Sequence, residues 1–268
     1  MIIEFLGTPG AGKSTLLAVA ADCLTERGYC ARSVVDAARP VAARTLVGRP
    51  IARLAPTRWR RPLLWQLFYA ATEAERTRFF IRHPGFMWQV WRYQIGRPLS
   101  GSDRHHVLRW FNHQTGVYEF LRRRAVPSEV FLFDEGFIHR VVQLFASEHE
   151  EPDARVVQAY VARLPRPDLV IFPTAPLEIC LRRVYDRGLW RRFAAKTNDE
   201  TARFMAAAAR TVTIAAAAAR EQGWPVIEVD NGGDPAPAAA CLRRALAEVV
   251  SPFTFTTQSR TIRALIER

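Results

Sequence analysis

Gly7, Thr8, Pro9, Gly10, Ala11, Gly12, Lys13, Ser14 and Thr15 carry the G-x-x-x-x-G-K-[ST] spacing of a P-loop. Each residue type has a physical reason to stand where it does. Glycines let successive backbone N–H groups converge on phosphate oxygens, and a helix starting at the loop adds its partial positive charge. Lys13 can reach the β- and γ-phosphates of a nucleoside triphosphate, and the Ser14 hydroxyl can ligate Mg²⁺. The nine residues are expected to cradle a triphosphate, with ATP and Mg²⁺ as cofactors.

Acidic residues supply the second half of such chemistry. Val130-Phe131-Leu132-Phe133 is an apolar run that ends on Asp134 and Glu135. A strand closed by an acid places a carboxylate beside a P-loop, so Asp134 is expected to share Mg²⁺ with Ser14. A helix-capping acid is the structural alternative. Glu135 would suit activation of water in a hydrolase. Arg140, a turn further on, would contact phosphate or sit in an ion pair. Asp36 ends the run from Tyr29 to Val35, where it could accept a proton from an attacking hydroxyl or cap the helix that follows. Arg182, Arg183, Arg187, Arg191 and Arg192 crowd a short stretch. Arginines so placed would neutralise charge as a lid over a triphosphate, with Arg183 expected as a plain surface charge.

The elements that must position these groups are legible as hydrophobic pattern. Ile2-Ile3-Glu4-Phe5-Leu6 reads as a strand and Leu16 to Ala21 as a helix, the context a P-loop requires. Further strands are expected at Tyr29–Val35, Val130–Phe133, Asp168–Phe172 and Pro225–Asp230. Pro40, Pro50, Pro56 and Pro62 should limit residues 37–62 to short helices and loops. Three aromatic-rich helical segments follow, near Leu63–Arg76, Phe86–Tyr93 and Val107–Arg124. Alanine-rich residues 206–219 are strong helix formers. A last helix is expected over Pro237–Val250.

Composition narrows the setting. The chain has 268 residues, is 49% hydrophobic and carries a formal charge of +12. The charge is almost wholly arginine, because lysine stands only at Lys13 and Lys196. An arginine excess favours anionic partners: a substrate, a polymer or a membrane surface. Aromatics at helical spacing are accounted for by core packing, so nucleic acid is not the expected partner. No apolar run approaches a membrane span, and because Met1 is read as opening a strand, no signal peptide is expected. Cys23, Cys30, Cys180 and Cys241 lack C-x-x-C spacing and suit reduced thiols. A cytoplasmic setting is expected.

The order of P-loop, acid-ended strand, arginine-rich lid and last strand resembles the thymidylate kinase and deoxynucleoside kinase group of P-loop kinases. The likeness covers most of the chain and is weakest at 37–62 and after Val250. Leu67-Phe68-Tyr69-Ala70-Ala71-Thr72-Glu73-Ala74-Glu75-Arg76 is similar to the group's Leu-Phe-Ala-Ala-Asp-Arg helix. Asp134 matches the acid of its Asp/Glu-Arg motif. Pro167 to Phe172 with Cys180 to Arg183 and Arg187-Gly188 resembles its strand and lid entry. Val226 to Asp230 resembles the strand whose following loop, here Asn231, approaches adenine. The resemblance implies that Arg187 and Arg191 are lid arginines, that Asp36 lies where the base is carried, and that Phe68, Arg76, Glu135 and Arg140 face the acceptor. Two departures stand out. Glu135 replaces the group's arginine after the acid, and no Arg-Glu-Pro-Gly signature follows the second strand.

The expected fold is α/β: a P-loop NTPase three-layer sandwich with a central five-stranded parallel sheet and helices on both faces. One kinase-like domain would span residues 1–250, with a helical acceptor-side insertion at 37–125 and a lid at 182–200. Residues 251–268 would form an appendage. The expected activity is ATP- and Mg²⁺-dependent phosphoryl transfer to a small-molecule acceptor, a nucleoside, nucleotide or related sugar-containing metabolite. The substrate would be anionic, and a homodimer is compatible with the sequence. The alternative is an ATPase or GTPase module coupling hydrolysis to a protein partner.

Overall fold

Five short strands rich in β-branched and aromatic residues form the centre of the protein, seen here in a computed structural model that describes residues 1–96, 101–188 and 196–251. They are β1 (Ile2–Phe5), β2 (Cys30–Ser33), β3 (Glu129–Phe133), β4 (Leu169–Thr174) and β5 (Val226–Asp230). All pair in parallel in the order β2-β3-β1-β4-β5. Parallel pairing requires a crossover after each strand, and helices supply it. The fold is α/β, with an all-parallel sheet covered on both faces.

Alternation along the strands divides the core into two layers. Ile3 and Phe5 point toward α1 (Lys13–Glu26) and α11 (Pro235–Val249), where Leu16, Ala20, Leu24, Leu242 and Leu246 meet them. Ile2 and Leu6 point the other way, into a larger aromatic layer. That layer is built from α2 (Val34–Ala43), α4 (Thr57–Arg82), α5 (Pro84–Gly96), α6 (Gly101–Arg124), α7 (Arg140–Phe145), α8 (Ala154–Val161), α9 (Leu177–Arg187) and α10 (Asn198–Glu221). A seven-residue helix, α3 (Gly48–Leu54), lies between α2 and α4. Glu4 falls on the aromatic side by the same period of two, and it is buried there.

Several expected boundaries shift for local reasons. The second strand ends at Ser33 rather than Val35, because the Ser33 side chain accepts the Asp36 N–H and starts α2 at Val34. Asp36 thus lies in the first turn of a helix. Pro62 does not precede the long helix but sits inside it, and Pro40 sits inside α2. Each proline removes only a single helical N–H, and Pro62 does so near the start of a 26-residue helix. The fourth strand runs on to Thr174 through Pro173, which pairs only with β5 because β1 has already left the sheet for the P-loop.

Among the described residues, no helix is long and apolar enough to cross a membrane. The four cysteines are free thiols, two of them buried. Arg191 and residues 252–268 lie outside the described residues, as does the part of the expected lid from 189 to 195.

Candidate active site

β1 is the central strand of the sheet, and its carboxyl end opens directly into the glycine loop. Ligands of open parallel sheets gather at such ends, where crossovers depart in opposite directions. Gly12 caps α1 with φ of 90°, a conformation that costs glycine nothing. A Cβ at that position would also collide with the Asn231 side-chain amide. The first turn of α1 leaves Ser14 and Thr15 exposed beside the loop.

The Lys13 ammonium is folded over the loop, donating to the carbonyls of Gly7 at 2.8 Å and Thr8 at 3.3 Å. Burial pulls its pKa down to about 8, against the opposing pull of Glu135 and Asp134. Both acids therefore lie within electrostatic reach of the lysine. The loop is braced from outside as well. Asn231 is buried, and its amide donates to the Ala11 carbonyl at 2.8 Å. Arg183 then donates to the carbonyls of Gly10 at 3.3 Å and Asn231 at 2.9 Å. Arg183 is thus a brace for the P-loop rather than a plain surface charge. Arg182 is exposed on α9, and Arg187 at the end of α9 acts electrostatically on Lys13.

Asp134 and Glu135 follow β3, the strand next to β1, and both side chains are exposed. Asp134 also accepts the Glu135 N–H at 3.0 Å. A hydroxyl from Ser14 and a carboxylate from Asp134 are hard oxygen donors, the chemistry that suits Mg²⁺. Such an ion keeps several waters and phosphate oxygens, so a cluster of three protein acids is not required; among the described residues there is none. The donor set fits the ion.

The loop after β3 is held from beneath by Glu4. Its Oε2 accepts the Ile138 N–H at 2.9 Å, and a Cβ at position 136 would collide with its carboxyl group, so Gly136 is required. Burial pushes the Glu4 pKa up to about 7, opposed by hydrogen bonds from Ile138 and Phe137 and by Arg140. His139, which follows Ile138, is also buried, and burial, Lys13 and Arg140 hold its pKa well below the usual value.

Arg140 is also buried, with its guanidinium shared among Gln114, Gln143 at 2.6 Å and Glu135 at 3.2 Å. Gln114 in turn donates to the Glu135 carbonyl at 2.8 Å. Of the two roles open to Arg140, the ion-paired one is what the fold builds. Arg76 pairs with Glu73 at 2.6 Å on its own helix. Phe68 is buried edge-on against Phe120, packing α4 to α6 rather than lining an open surface. The exposed ring of that turn is Tyr69, which stacks on Trp65 and faces His113. Asp36 is exposed at the carboxyl end of β2, where Ser33 Oγ donates to its carboxylate at 2.6 Å. Because β2 pairs with β3, Asp36, Asp134 and Glu135 stand along one edge.

The sequence alone missed Glu4, Gln114 and the bracing role of Arg183. Glu4 carried a signal, since it is the lone acid in an otherwise apolar strand. Gln114 and the bracing contacts of Arg183 carried none, because their partners are distant in sequence.

No protein-family model matches the chain, and no curated protein matches it. Among solved structures, deoxyadenosine kinase from M. mycoides with bound dCTP aligns at 12% identity and a TM-score of 0.42, over 92% of this chain and all of that one. The same enzyme with bound dATP aligns at 13% identity and 0.43, over 94% of this chain and all of that one.

Proposed function

We propose that the protein is a small-molecule kinase that transfers the γ-phosphoryl group of ATP to a hydroxyl of a nucleoside or related sugar-containing metabolite. The observation that carries this reading is the glycine loop at the carboxyl end of β1, with Lys13 folded over it and within electrostatic reach of Asp134 and Glu135. Loop N–H groups and the start of α1 hold the phosphates, while Lys13 neutralises charge that develops on the transferring group. Ser14 and Asp134 are the residues that would hold Mg²⁺, which would supply positive charge against that of the phosphates. Arg183 and Asn231 keep the loop shaped for this. Arg182, Arg187 and Arg191 are assigned to the lid side and Asn231 to the adenine end.

The acceptor side favours a hydroxyl over a phosphate. Three carboxylates, Asp36, Asp134 and Glu135, line that edge, and Arg140 is taken up by Glu135, Gln114 and Gln143. A phosphate monoester would meet like charge there, whereas a neutral hydroxyl meets a base. Asp36 is the residue assigned to orient or deprotonate it. A hydrolytic module would need Glu135 to activate water, but Arg140 holds that carboxylate at 3.2 Å.

Equilibrium titration with ATP tests the first half of this reading. Binding should tighten when Mg²⁺ is added, and Asp134→Asn should erase most of that gain, about tenfold, while binding in excess chelator stays unchanged. ATP affinity indifferent to both Mg²⁺ and Asp134 would count against the assignment.

A further inference from the structure

The arginine excess is concentrated away from the phosphate loop. Between Asp36 and Glu73 the chain has seven arginines and not one acidic residue. Two of these, Arg44 and Arg60, are used internally, on Glu129 and on the Ala55 carbonyl. Arg49, Arg53, Arg58 and Arg61 are exposed.

Apolar side chains are exposed among them. Leu46 is 87% exposed, Leu54 81% and Trp59 54%, with Val47 and Leu63 also open. Their arrangement follows from the helix period. Val47, Pro50 and Leu54 stand at i, i+3 and i+7, which is one face of α3 and its cap. The opposite face is fixed inward: Gly48 is buried, and a Cβ there would collide with the Ala42 carbonyl at the end of α2. The outward stripe therefore has no way to turn toward the core. Trp59 and Leu63, one turn apart, continue the apolar surface along the start of α4. The joint between the helices is tied by Arg60, whose guanidinium donates to the Ala55 carbonyl at 3.3 Å, and by the Trp59 N–H on Pro56 at 2.9 Å.

An exposed apolar ridge rimmed only by cations has a limited set of partners. Nucleic acid would meet the charge, but four of the five apolar residues are aliphatic and offer no ring for base stacking. A second copy on a two-fold axis would set arginine against arginine. Aliphatic chains with a tryptophan, ringed by arginine, match the boundary between headgroups and acyl chains in a bilayer of negative surface potential.

We propose that α3 and the first turn of α4 form a docking site for a membrane surface containing anionic lipid. Leu46, Val47, Leu54 and Trp59 enter the headgroup–acyl boundary, while Arg49, Arg53, Arg58 and Arg61 meet lipid phosphates. The inference is independent of the phosphoryl-transfer reading, because none of these residues belongs to the proposed site.

Flotation of the full chain with vesicles tests it. The protein should rise with phosphatidylcholine vesicles containing phosphatidylglycerol, and at least about tenfold less with phosphatidylcholine alone. Combined Leu54→Ser and Trp59→Ser substitution should weaken binding at least about tenfold at low salt. Arg49→Gln, Arg53→Gln and Arg58→Gln should each weaken it about fivefold and flatten the salt dependence. These positions are exposed, so folding, read by circular dichroism, should be unchanged. The proposal is overturned by absence of binding to anionic vesicles, or by binding that the Leu54/Trp59 variant retains in full. It is equally overturned if the same substitutions abolish single-stranded DNA binding or a solution dimer while vesicles are never bound.

Discussion

Replacing Lys13 with alanine is expected to lower phosphoryl transfer about a thousandfold while leaving the thermal midpoint unchanged or higher. The rate effect follows from charge. The transferring group spreads negative charge over oxygens that Lys13 is placed to neutralise, and removing one such donor typically costs a hundredfold to a thousandfold or more. The stability effect follows from burial. The ammonium is desolvated, which pulls its pKa down to about 8, and it leans on two loop carbonyls in return. Removing a charge that folding must desolvate does not weaken the fold. The same shift predicts a pH dependence. Below about pH 8 the free protein carries the charge that nucleotide binding needs; above it, binding must first take up a proton. ATP affinity should therefore fall as pH rises past about 8, and the alanine variant should lose that dependence. Steady-state kinetics, titration and a melting curve together check all three outcomes.

Glu4 carries the second large effect. Its carboxyl group lies on the central strand with Arg140, Tyr118 and Tyr160 as the charged or titratable groups around it. The folded-state pKa is about 7 against an ordinary 4.5, with burial as the main cause. A carboxyl raised in this way is bound to its proton in the folded state when the unfolded chain has already released it. Stability from this group is therefore full below about pH 4.5 and declines up to about pH 7, by about 3 kcal/mol. Glu4→Gln should remove that decline and leave the protein more stable at pH 8, since a neutral amide can still accept the Ile138 N–H. Glu4→Ala should be destabilising at every pH, because it leaves that N–H without its acceptor. Denaturant titrations at pH 5 and pH 8 separate the two variants. Glu75 and Glu119 do not confuse the result: burial would raise them, but their arginine partners outweigh it and hold both below 4.5, so their contribution changes only at lower pH.

The parts of the site that were legible in the sequence are those whose chemistry is local. Glycine spacing, Lys13 and Ser14 depend on a single turn of backbone, and the strand before them and helix after them are patterned within a dozen residues. Asp134 was legible because an acid closing an apolar run has a fixed place in a parallel sheet. Misreadings came where long-range contacts decide. Pro62 punctuates any local reading, yet α4 contains it because its aromatic face packs along α6. Arg183 looks like surplus charge until β5 brings the Asn231 carbonyl and the P-loop together beside it. Phe68 stands in a segment similar to a substrate-facing helix, but helical phase turns it to Phe120 and leaves Tyr69 outward. Asp36 was read as either a base or a helix cap, but the cap is Ser33, whose hydroxyl accepts the Asp36 N–H and donates to its carboxylate, leaving Asp36 in the first turn of α2.

Transfer of label from γ-labelled ATP tests the central claim most directly. The protein is incubated with Mg²⁺ and separate panels of nucleosides, nucleoside monophosphates and sugars, and both acceptor label and free phosphate are followed. Label should appear in a hydroxyl acceptor, depend on Lys13, and match the ADP formed. ADP matched by free phosphate, at a rate that no acceptor alters, would contradict the kinase assignment.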